Sequence, residues 1–486
     1  MKKITSLTLA FILMIICSYS IKNIKGLNPI IVIVSYLLPV IFLLVIKMCN
    51  LGNVDGKVLL VNLVLITLYF ILYLIYYYDN KTSKYLKYAL ILIASVEIIC
   101  NINFNWIHTD DINDMYEYYD LIKETVKKLD KVEENNFYRL EKTFSITLND
   151  TSWYNYNGIT TFSSMEYERM AMLHHNLGIN GNLINSYEFF LNTPVYNIMF
   201  DLKYLLGYIY DKDNYELIYE NDKFNTYKFK YNTNLLYSVN NDIKDYKLEN
   251  NNPILNQNNF VYLSTGIDNI FDKLNYKNKE IIDVTDGLSL MEYTYKNNYI
   301  NNYFYNNCDA EFYIINDTIY YKNDEILKYI SPEYYSSTNQ LDENMLINFI
   351  SDNDEFKILI GTYYNENDIE VYSINSNKFN EANNVLMQDK VKIEIFKDTY
   401  IKANVNNKSN NTIYTSIPYD DEIKVYVDGK KVNTFMIADA LLGFDIESGK
   451  HVIEIKYKNN LMLIGSVISL STLIVIIIIQ LKRKCI

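Results

Sequence analysis

The stretch LMLIGSVISLSTLIVIIIIQL, residues 461–481, contains no charged residue and is long enough to span a membrane. A helix needs ~20 mostly apolar residues to cross the hydrocarbon core of a bilayer. Four further stretches of this kind come before it: residues 4–21, 28–48, 57–78 and 85–103. The sequence therefore predicts an integral membrane α-helical protein, with four N-terminal spans in residues 1–103 and one closing span.

The first apolar stretch has a second interpretation. It follows the basic start MKK and is short, as in a signal peptide. A lipoprotein cleavage site needs a small residue just before the cysteine, and Ile16 precedes Cys17. An uncleaved span is therefore the expected form of residues 4–21.

The distribution of basic residues predicts the orientation. If the tail at residues 482–486 is cytoplasmic, eight lysines and arginines of the short loops and termini lie inside and four lie outside. Cytoplasmic loops are the ones enriched in such residues. We therefore expect the large domain, residues 104–460, on the extracellular face of the cell membrane, with a basic cytoplasmic tail. Glu97 lies inside the fourth apolar stretch, where a carboxylate either packs against a partner helix or lines a substrate path.

Composition excludes several functions. The formal net charge of −13 disfavours nucleic acid as a partner. Of the five cysteines only Cys308 lies in the polar middle of the chain, so that region has no internal disulfide. No Cys/His cluster has the spacing of a zinc site, and the neighbouring His174 and His175 would point in different directions from a helix. Neither a metal nor a cofactor is expected.

Hydrophobic periodicity predicts an α+β fold for the large domain. Helical spacing predicts helices over residues 110–134, 165–177 and 197–206, within an α/β subdomain at 104–235. Beyond about residue 215 short alternating strands take over, which predicts a β-rich subdomain at 236–400.

The last part of the domain, residues 401–460, is expected to form a membrane-proximal β-sandwich. It contains alternating strands around Asp428-Gly429 and again around Ser448-Gly449, and both dipeptides are expected to turn hairpins. The closing span follows directly at residue 461.

One segment of the large domain has the composition of a sugar-binding surface. Aromatic faces cover the apolar side of a pyranose, and amide or carboxylate groups bind its hydroxyls. The candidate residues are Asn149, Asp150, Trp153, Tyr154, Tyr156 and Asn157. An equally supported interpretation is a turn-rich loop in which Gly158 provides a positive φ angle. The adjacent Ser163 and Ser164 lack the GxSxG setting of a hydrolase.

Several blocks together resemble the YfhO family of bacterial membrane proteins. They are FYRLEKT (137–143), NDTSWYNYNGITTFSS (149–164), NTPVYNIMFDLKYLL (192–206), NPILNQN (252–258) and the strands at 423–457. The motif residues are Tyr138, Arg139, Glu141, Gly158, Ser163, Ser164, Pro194, Lys203, Tyr204, Gln257, Asn258, Asp428 and Gly429. Their order and spacing match along most of the chain.

The resemblance implies a glycosyltransferase-like protein of Gram-positive bacteria. Such proteins are associated with transfer of sugars from polyprenyl-phosphate donors to cell-envelope polymers such as lipoteichoic acid. Family members normally carry further spans with the catalytic carboxylate ahead of the region matched here. The resemblance therefore implies the C-terminal half of such an enzyme, with the catalytic residue left unassigned. Three forms of the protein fit this: one half of a split enzyme, a partner of a separate multispan subunit, or a truncated gene product.

The alternative is a non-catalytic, membrane-anchored glycan-binding or scaffold protein. The expected partners are the lipid bilayer, the polyprenyl-phosphate sugar and a teichoic-acid-like glycopolymer. Asp150 and Glu141 are candidates for binding rather than for catalysis.

Overall fold

The computed structural model describes residues 28–484 except 50–55, 79–82, 107–115, 117, 135, 145, 209–210, 232–233, 286, 306–309, 322–336, 341–344, 364–368 and 390. The predicted span at 4–21 and Cys308 lie outside the described residues. The chain divides into two compact units, Met1–Ile112 and Asn113–Ile486.

The described part of the first unit consists of three helices: α1 (Pro29–Met48), α2 (Gly56–Tyr78) and α3 (Ser83–Trp106). The ring of Tyr36 in α1 stacks on Phe70 of α2 with centroids 4.3 Å apart. The hydroxyl of Tyr69 in α2 donates a hydrogen bond of 2.6 Å to Glu97 of α3. This bond places Glu97 against a partner helix, as one of its two interpretations predicted.

Three of the described helices are long and apolar enough to cross a membrane, over Ile30–Met48, Gly56–Tyr76 and Asn460–Leu481. They correspond to three of the predicted spans. The predicted span at 85–103 lies within α3, whose apolar part, Tyr88–Ile102, is shorter.

The second unit contains seven α-helices among the described residues: α4 (Tyr119–Val132), α5 (Asp150–Tyr154), α6 (Glu168–Asn176), α7 (Pro194–Met199), α8 (Pro253–Thr265), α9 (Ser376–Leu386) and α10 (Asn460–Lys484). A 3₁₀ helix covers Asn241–Asp245. The predicted helix at 165–177 is confirmed as α6. The one at 110–134 corresponds to α4, although Ile112 and Met115 lie outside the described residues.

The prediction of one helix over 197–206 is wrong in its second half. Helix α7 ends at Met199, and the chain continues from Leu202 as a strand. Between them Asp201 has a φ angle of +52°, in the left-handed region that a continuing helix does not use. The residues that follow are buried almost without interruption, which is typical of a strand inside a sheet.

The strands of the second unit are β1 (Arg139–Lys142), β2 (Thr161–Phe162), β3 (Asn180–Gly181), β4 (Ser186–Glu188), β5 (Leu202–Gly207), β6 (Tyr215–Glu220), β7 (Asn225–Phe229), β8 (Leu236–Val239), β9 (Phe271–Leu274), β10 (Tyr276–Thr285), β11 (Leu288–Lys296), β12 (Asn301–Tyr305), β13 (Phe312–Ile315), β14 (Thr318–Tyr321), β15 (Ser337–Gln340), β16 (Leu346–Ile350), β17 (Glu355–Thr362), β18 (Val371–Ile374), β19 (Val391–Lys397), β20 (Tyr400–Asn407), β21 (Asn411–Pro418), β22 (Ile423–Val427), β23 (Lys430–Lys431), β24 (Thr434–Ile437), β25 (Leu441–Ile446) and β26 (Gly449–Tyr457).

The first part of this unit is built on a four-stranded sheet in the order β1-β5-β7-β6, in which β1 and β5 are parallel. Helix α4 has buried residues every three to four positions, at Ile122, Val126 and Leu129. They share a core with Tyr154 and Tyr204. The strands of a small sheet, β2-β4-β3, come between β1 and β5 in the sequence.

The middle of the unit holds two further sheets, in the orders β10-β11-β17-β13-β14-β15 and β16-β12-β18-β9. Side chains from both sheets, among them Tyr293, Phe304 and Ile358, share one apolar core. The predicted dominance of strands beyond residue 215 is confirmed, while helices α8 and α9 were not anticipated within their asparagine-rich sequences.

The last part is a two-layer β-sandwich. One sheet has the order β19-β20-β26-β22-β23 and the other β24-β25-β21-β8, with Val405, Phe444 and Ile453 in the core they share. The hairpin at Asp428-Gly429 is confirmed, with φ angles of +51° and +77°. The second predicted hairpin is wrong, because strands β25 and β26 on either side of Ser448-Gly449 belong to different sheets.

Candidate functional site

A cleft of about 370 Å³ opens beside the segment that follows α5. It is lined by residues of β1, the loop from Tyr156 to Thr161, helix α6, strand β4 and the end of β21. This volume lies within the range of about 300–1,000 Å³ that small-molecule sites occupy. The polar residues in its wall include Arg139, Asn157, Glu166 and Tyr187.

The guanidinium of Arg139 is fixed in place by hydrogen bonds to backbone carbonyls and a hydroxyl. Its Nη1 donates to the carbonyl of Phe200 (2.5 Å) and to Oγ of Ser416 (2.7 Å), and Nη2 donates to the Ser416 carbonyl (3.1 Å). Within the described residues no carboxylate lies within 4 Å of this guanidinium. Burial lowers the pKa of Arg139, although Asp201 opposes the shift. An arginine stays charged in proteins, so the wall of the cleft carries a positive charge that Asp201 partly offsets.

The carboxylate of Glu141 is buried and is used in hydrogen bonds within the protein. Its carboxylate accepts hydrogen bonds from the backbone of Ile159 and Thr160 and from the hydroxyl of Thr160. Burial raises the pKa of Glu141, and these hydrogen bonds oppose the rise. The residue thereby shapes the loop that lines the cleft.

Gly158 is required in this loop by space rather than by its φ angle. The predicted positive φ is wrong: the left-handed residue here is Asn155, at +58°. A Cβ atom at Gly158 would come within 2.5 Å of Thr151 Cγ2 and 2.8 Å of Glu141 Oε1. The loop therefore passes directly over the buried carboxylate.

Glu166 is the carboxylate that lines the cleft. It is half-buried and accepts a hydrogen bond of 3.3 Å from the Tyr187 hydroxyl. Burial raises the pKa of Glu166, and the hydrogen bond from Tyr187 opposes the rise. The Tyr156 side chain also lines the cleft, and it packs into the core that contains Tyr154. Burial raises the pKa of the Tyr156 hydroxyl, and the charges of Glu141 and Asp150 add to the rise.

His174 closes the cleft from helix α6 and is neutral. Its ring lies 4.1 Å from that of Tyr187 and 4.6 Å from that of Phe200, and Nδ1 lies 2.7 Å from the Tyr196 hydroxyl. Burial lowers the pKa of His174 to about 3, with the charge of Arg139 adding to the shift. His175 is also buried, and no group of metal-ligating side chains occurs in the described part of the chain.

The structure separates the six residues of the predicted sugar-binding surface. Tyr156 and Asn157 line the cleft. Asp150 is buried in an ion pair with Lys142, Tyr154 is buried in the α4 core, and the Asn149 side chain accepts from the backbone of Phe162. Trp153 remains partly exposed and packs edge-on against Tyr116 and Tyr119. The proposed contact of all six with sugar remains a prediction.

Most of the remaining motif residues form internal contacts. Tyr138 donates to Asp130, Lys203 and Tyr204 both bond to Glu133, and Pro194 begins α7 behind its Thr193 cap. Gln257 bonds to the backbone of Leu177 and to Asn192 and Thr193, and Asn258 accepts from the backbone of Ile270 and Phe271. Asp428 contacts His451, and Gly429 follows it in the same turn. The Ser163 hydroxyl accepts a hydrogen bond from the backbone of Met165, and Ser164 is exposed.

Sequence reasoning missed Glu166, Tyr187 and Ser416 as parts of the cleft. Ser416 lies 277 positions from Arg139 in the chain, so only the fold brings them together. The block FYRLEKT contained the clearest signal, because it places an arginine and a glutamate in a strand with three buried residues.

The chain matches the model of a known protein family. The model of the family described as bacterial membrane protein YfhO matches residues 6–469. No curated protein and no solved structure shows a significant similarity to the chain. Because the match covers nearly the whole sequence, the chain belongs to the YfhO family of bacterial membrane proteins, as its motif blocks predicted.

Proposed function

We propose that this member of the YfhO family takes part in glycosylation of cell-envelope polymers of the lipoteichoic acid type, with polyprenyl-phosphate sugars as donors. The large domain faces the extracellular side in this proposal, in keeping with the distribution of lysines in the short loops. The observation that carries it is the Arg139 cleft, in which a partly buried guanidinium shares a small space with the side chains of Glu166 and Tyr187.

The guanidinium is suited to an anionic ligand. Charge-assisted hydrogen bonds from arginine to phosphate are among the strongest in proteins. Because Phe200 and Ser416 hold Arg139 in place, little side-chain entropy is lost on binding. The phosphate of a lipid-linked sugar and the phosphodiester of a teichoic-acid-like polymer both offer this chemistry.

The hydroxyl groups of a sugar or polyol match the remaining wall. Asn157, Thr161 and Tyr187 contribute polar side chains to it. Together these groups are suited to a ligand that carries a negative charge and several hydroxyls, which is the composition of both proposed partners.

In transfer from a polyprenyl-phosphate sugar, a carboxylate takes the proton of the acceptor hydroxyl. The hydroxyl oxygen then bonds to the anomeric carbon, and the bond from that carbon to the phosphate oxygen breaks, with the phosphate leaving as the anion. Glu166 has the raised pKa suited to such a base, and Arg139 would stabilise the leaving phosphate. A multispan partner subunit could supply the acceptor or the catalytic carboxylate instead.

A second candidate function is glycan binding without catalysis, as an anchor or scaffold. It is favoured because the carboxylates of Glu141 and Asp150 are already engaged in internal contacts. Neither is therefore free for chemistry. Under this proposal Arg139 and Tyr156 hold the polymer and Glu166 only shapes the cleft.

Binding and transfer measured on the same variants distinguish these functions. The full chain in nanodiscs is titrated with purified lipoteichoic acid, and transfer is followed with a polyprenyl-phosphate sugar. Arg139→Gln should weaken binding by about 10- to 100-fold, the loss of one charge-assisted contact. Glu168→Gln, on the exposed start of α6, is the matched control.

The outcomes are as follows. Glu166→Gln should retain binding and abolish transfer if the chain is catalytic. If the native chain binds the polymer but transfers no sugar, it acts as a scaffold or depends on a partner subunit for catalysis. If Arg139→Gln binds as tightly as Glu168→Gln, the Arg139 cleft is not the ligand site and the proposal fails.

A further inference from the structure

Four large apolar side chains are exposed at one tip of the second unit. The exposed fractions are 44% for Phe162, 88% for Met165, 41% for Leu183 and 61% for Ile184. We call these four residues the apolar tip. They belong to two neighbouring turns, since Phe162 of β2 pairs with Ser186 of β4. Soluble surfaces seldom expose such side chains next to one another, so the tip is expected to have a partner.

Hydrogen bonds hold the apolar tip in a defined shape. The Asn182 side chain accepts from the backbone of Ile184, Asn185 and Ser186, which closes one turn. The Ser163 backbone donates to the Asn185 carbonyl (3.1 Å) and so joins the second turn to the first. The exposed side chains are therefore presented by an ordered backbone.

The chain leaving the apolar tip is bonded to the end of the sandwich that leads into α10. Tyr167 donates to the Asp420 carboxylate, and Arg169 donates to the Tyr419 carbonyl at 2.6 Å. Two positions on from Asp420, the Glu422 carboxylate accepts from Asn460, the first residue of α10, at 2.9 Å. The tip and the start of the closing helix thus lie at the same end of the unit.

This end of the unit is only three residues from the start of the membrane-spanning helix α10. Strand β26 ends at Tyr457, opposite Ile423 of β22, and α10 starts three residues later. Three extended residues span at most roughly 10 Å. Tyr167 and Tyr419, with the Arg169 guanidinium 5.0 Å and 5.8 Å from their ring centroids, form the aromatic and cationic border that proteins place at headgroup level.

We propose that the apolar tip inserts into the interface of the bilayer that holds α10. The inference does not depend on what the Arg139 cleft binds. Thr161 and Glu166 line that cleft and flank the tip in sequence. The docked tip therefore places the cleft opening at the membrane surface, where the headgroup of a membrane-borne molecule is accessible without leaving the lipid.

The depth of the tip can be measured by fluorescence quenching, because the chain has only two tryptophans, Trp106 and Trp153. Both are replaced by phenylalanine in the full chain, and Met165→Trp is added as the reporter. The protein is reconstituted in phosphatidylcholine–phosphatidylglycerol vesicles, with or without lipids brominated on the acyl chains. Lys430→Trp is the matched control, at the exposed turn at the far end of β22.

The Met165→Trp reporter should lose at least about half of its emission in brominated vesicles, as expected for an interfacial side chain. The Lys430→Trp control should lose little. Ile184→Trp provides a second reporter on the other turn and should behave like Met165→Trp. If both tip reporters are quenched no more than the control, the tip is covered by protein or water and the inference is overturned.

Discussion

Lys142 and Asp150 form an ion pair in which the two side chains are only 3% and 2% exposed. The Asp150 carboxylate also accepts from the backbone of Ile146 and Thr147, so it fixes the start of α5. Burial lowers the pKa of Lys142, and the bond to Asp150 opposes that shift. The pair therefore stabilises the loop that carries the cleft, and either partner alone would be a buried, uncompensated charge.

Asp150→Ala should lower the free energy of unfolding by about 3–5 kcal/mol, because it leaves the Lys142 ammonium buried without a partner. The measurement is thermal or denaturant unfolding of the full chain in detergent. The double variant Lys142→Met/Asp150→Leu should recover much of that stability, since it removes both charges. An Asp150→Ala protein that keeps its stability but loses glycan binding would instead support the sugar contact predicted from the sequence.

Gly158→Ala should destabilise the second unit by about 1–3 kcal/mol, the usual cost of forcing a group into packed space. The added Cβ would collide with Thr151 and with the Glu141 carboxylate. Gly465→Ala is the control, since a Cβ there meets no atom within 4 Å. Equal melting temperatures for the two variants would show that the loop can move away from Glu141.

Stability should fall as the pH drops below 6.5 because of His174. Its pKa is about 3 in the folded chain, so only the unfolded chain takes up a proton between pH 6.5 and 3. Each pH unit in that interval should cost about 1.4 kcal/mol. Urea unfolding at several pH values measures the slope, and His174→Gln should reduce it.

His451 provides a control of opposite sign. Its hydrogen bond to Asp428 raises the pKa of His451 above 6.5. That contribution to stability is present below pH 6.5 and is lost as the pH rises through the folded pKa. Because the Asp428 partner is half exposed, His451→Gln should change the pH profile only slightly. The His451→Gln profile should keep the parent's slope below pH 6.5 and differ from it only above that pH.

Gln257→Leu should lower the free energy of unfolding by about 1–3 kcal/mol, because it leaves buried polar groups without partners. Gln257 accepts from the Thr193 hydroxyl and donates to the Leu177 carbonyl (3.0 Å) and to Asn192 Oδ1 (3.2 Å). Leu255→Gln on the exposed side of the same helix should change stability by less than about 0.5 kcal/mol. Similar losses in the two variants would contradict the assignment of Gln257 as a structural hub.

Local patterns were sufficient for the elements whose partners are close in sequence. The hairpin at Asp428-Gly429, helix α6 and the apolar helices follow directly from turn chemistry and hydrophobic periodicity. Ser448-Gly449 shows the limit of this reasoning. It has the same residue chemistry as a hairpin turn, but which sheet each flanking strand joins depends on β20 and β21, and no local signal specifies that.

The candidate site was only partly predictable for the same reason. Tyr156 and Asn157 were chosen for their chemistry, which the cleft retains. Asp150 and Tyr154 have the same chemistry but are directed into the interior by α5. Glu166 and Ser416 had no distinguishing neighbours in the sequence, and they reach Arg139 only through contacts between distant segments.

Strand β8 is synthesised long before the strand with which it pairs. It pairs with β21, and its Ser238 bonds to Asn407, which is 169 positions later in the chain. At the usual rate of synthesis, β8 waits on the order of ten seconds or more before its partner strand exists. During that interval its edge is open to incorrect pairing. A C-terminal fragment that starts after β8 therefore lacks an edge strand of the sandwich and leaves β21 without one of its two neighbours.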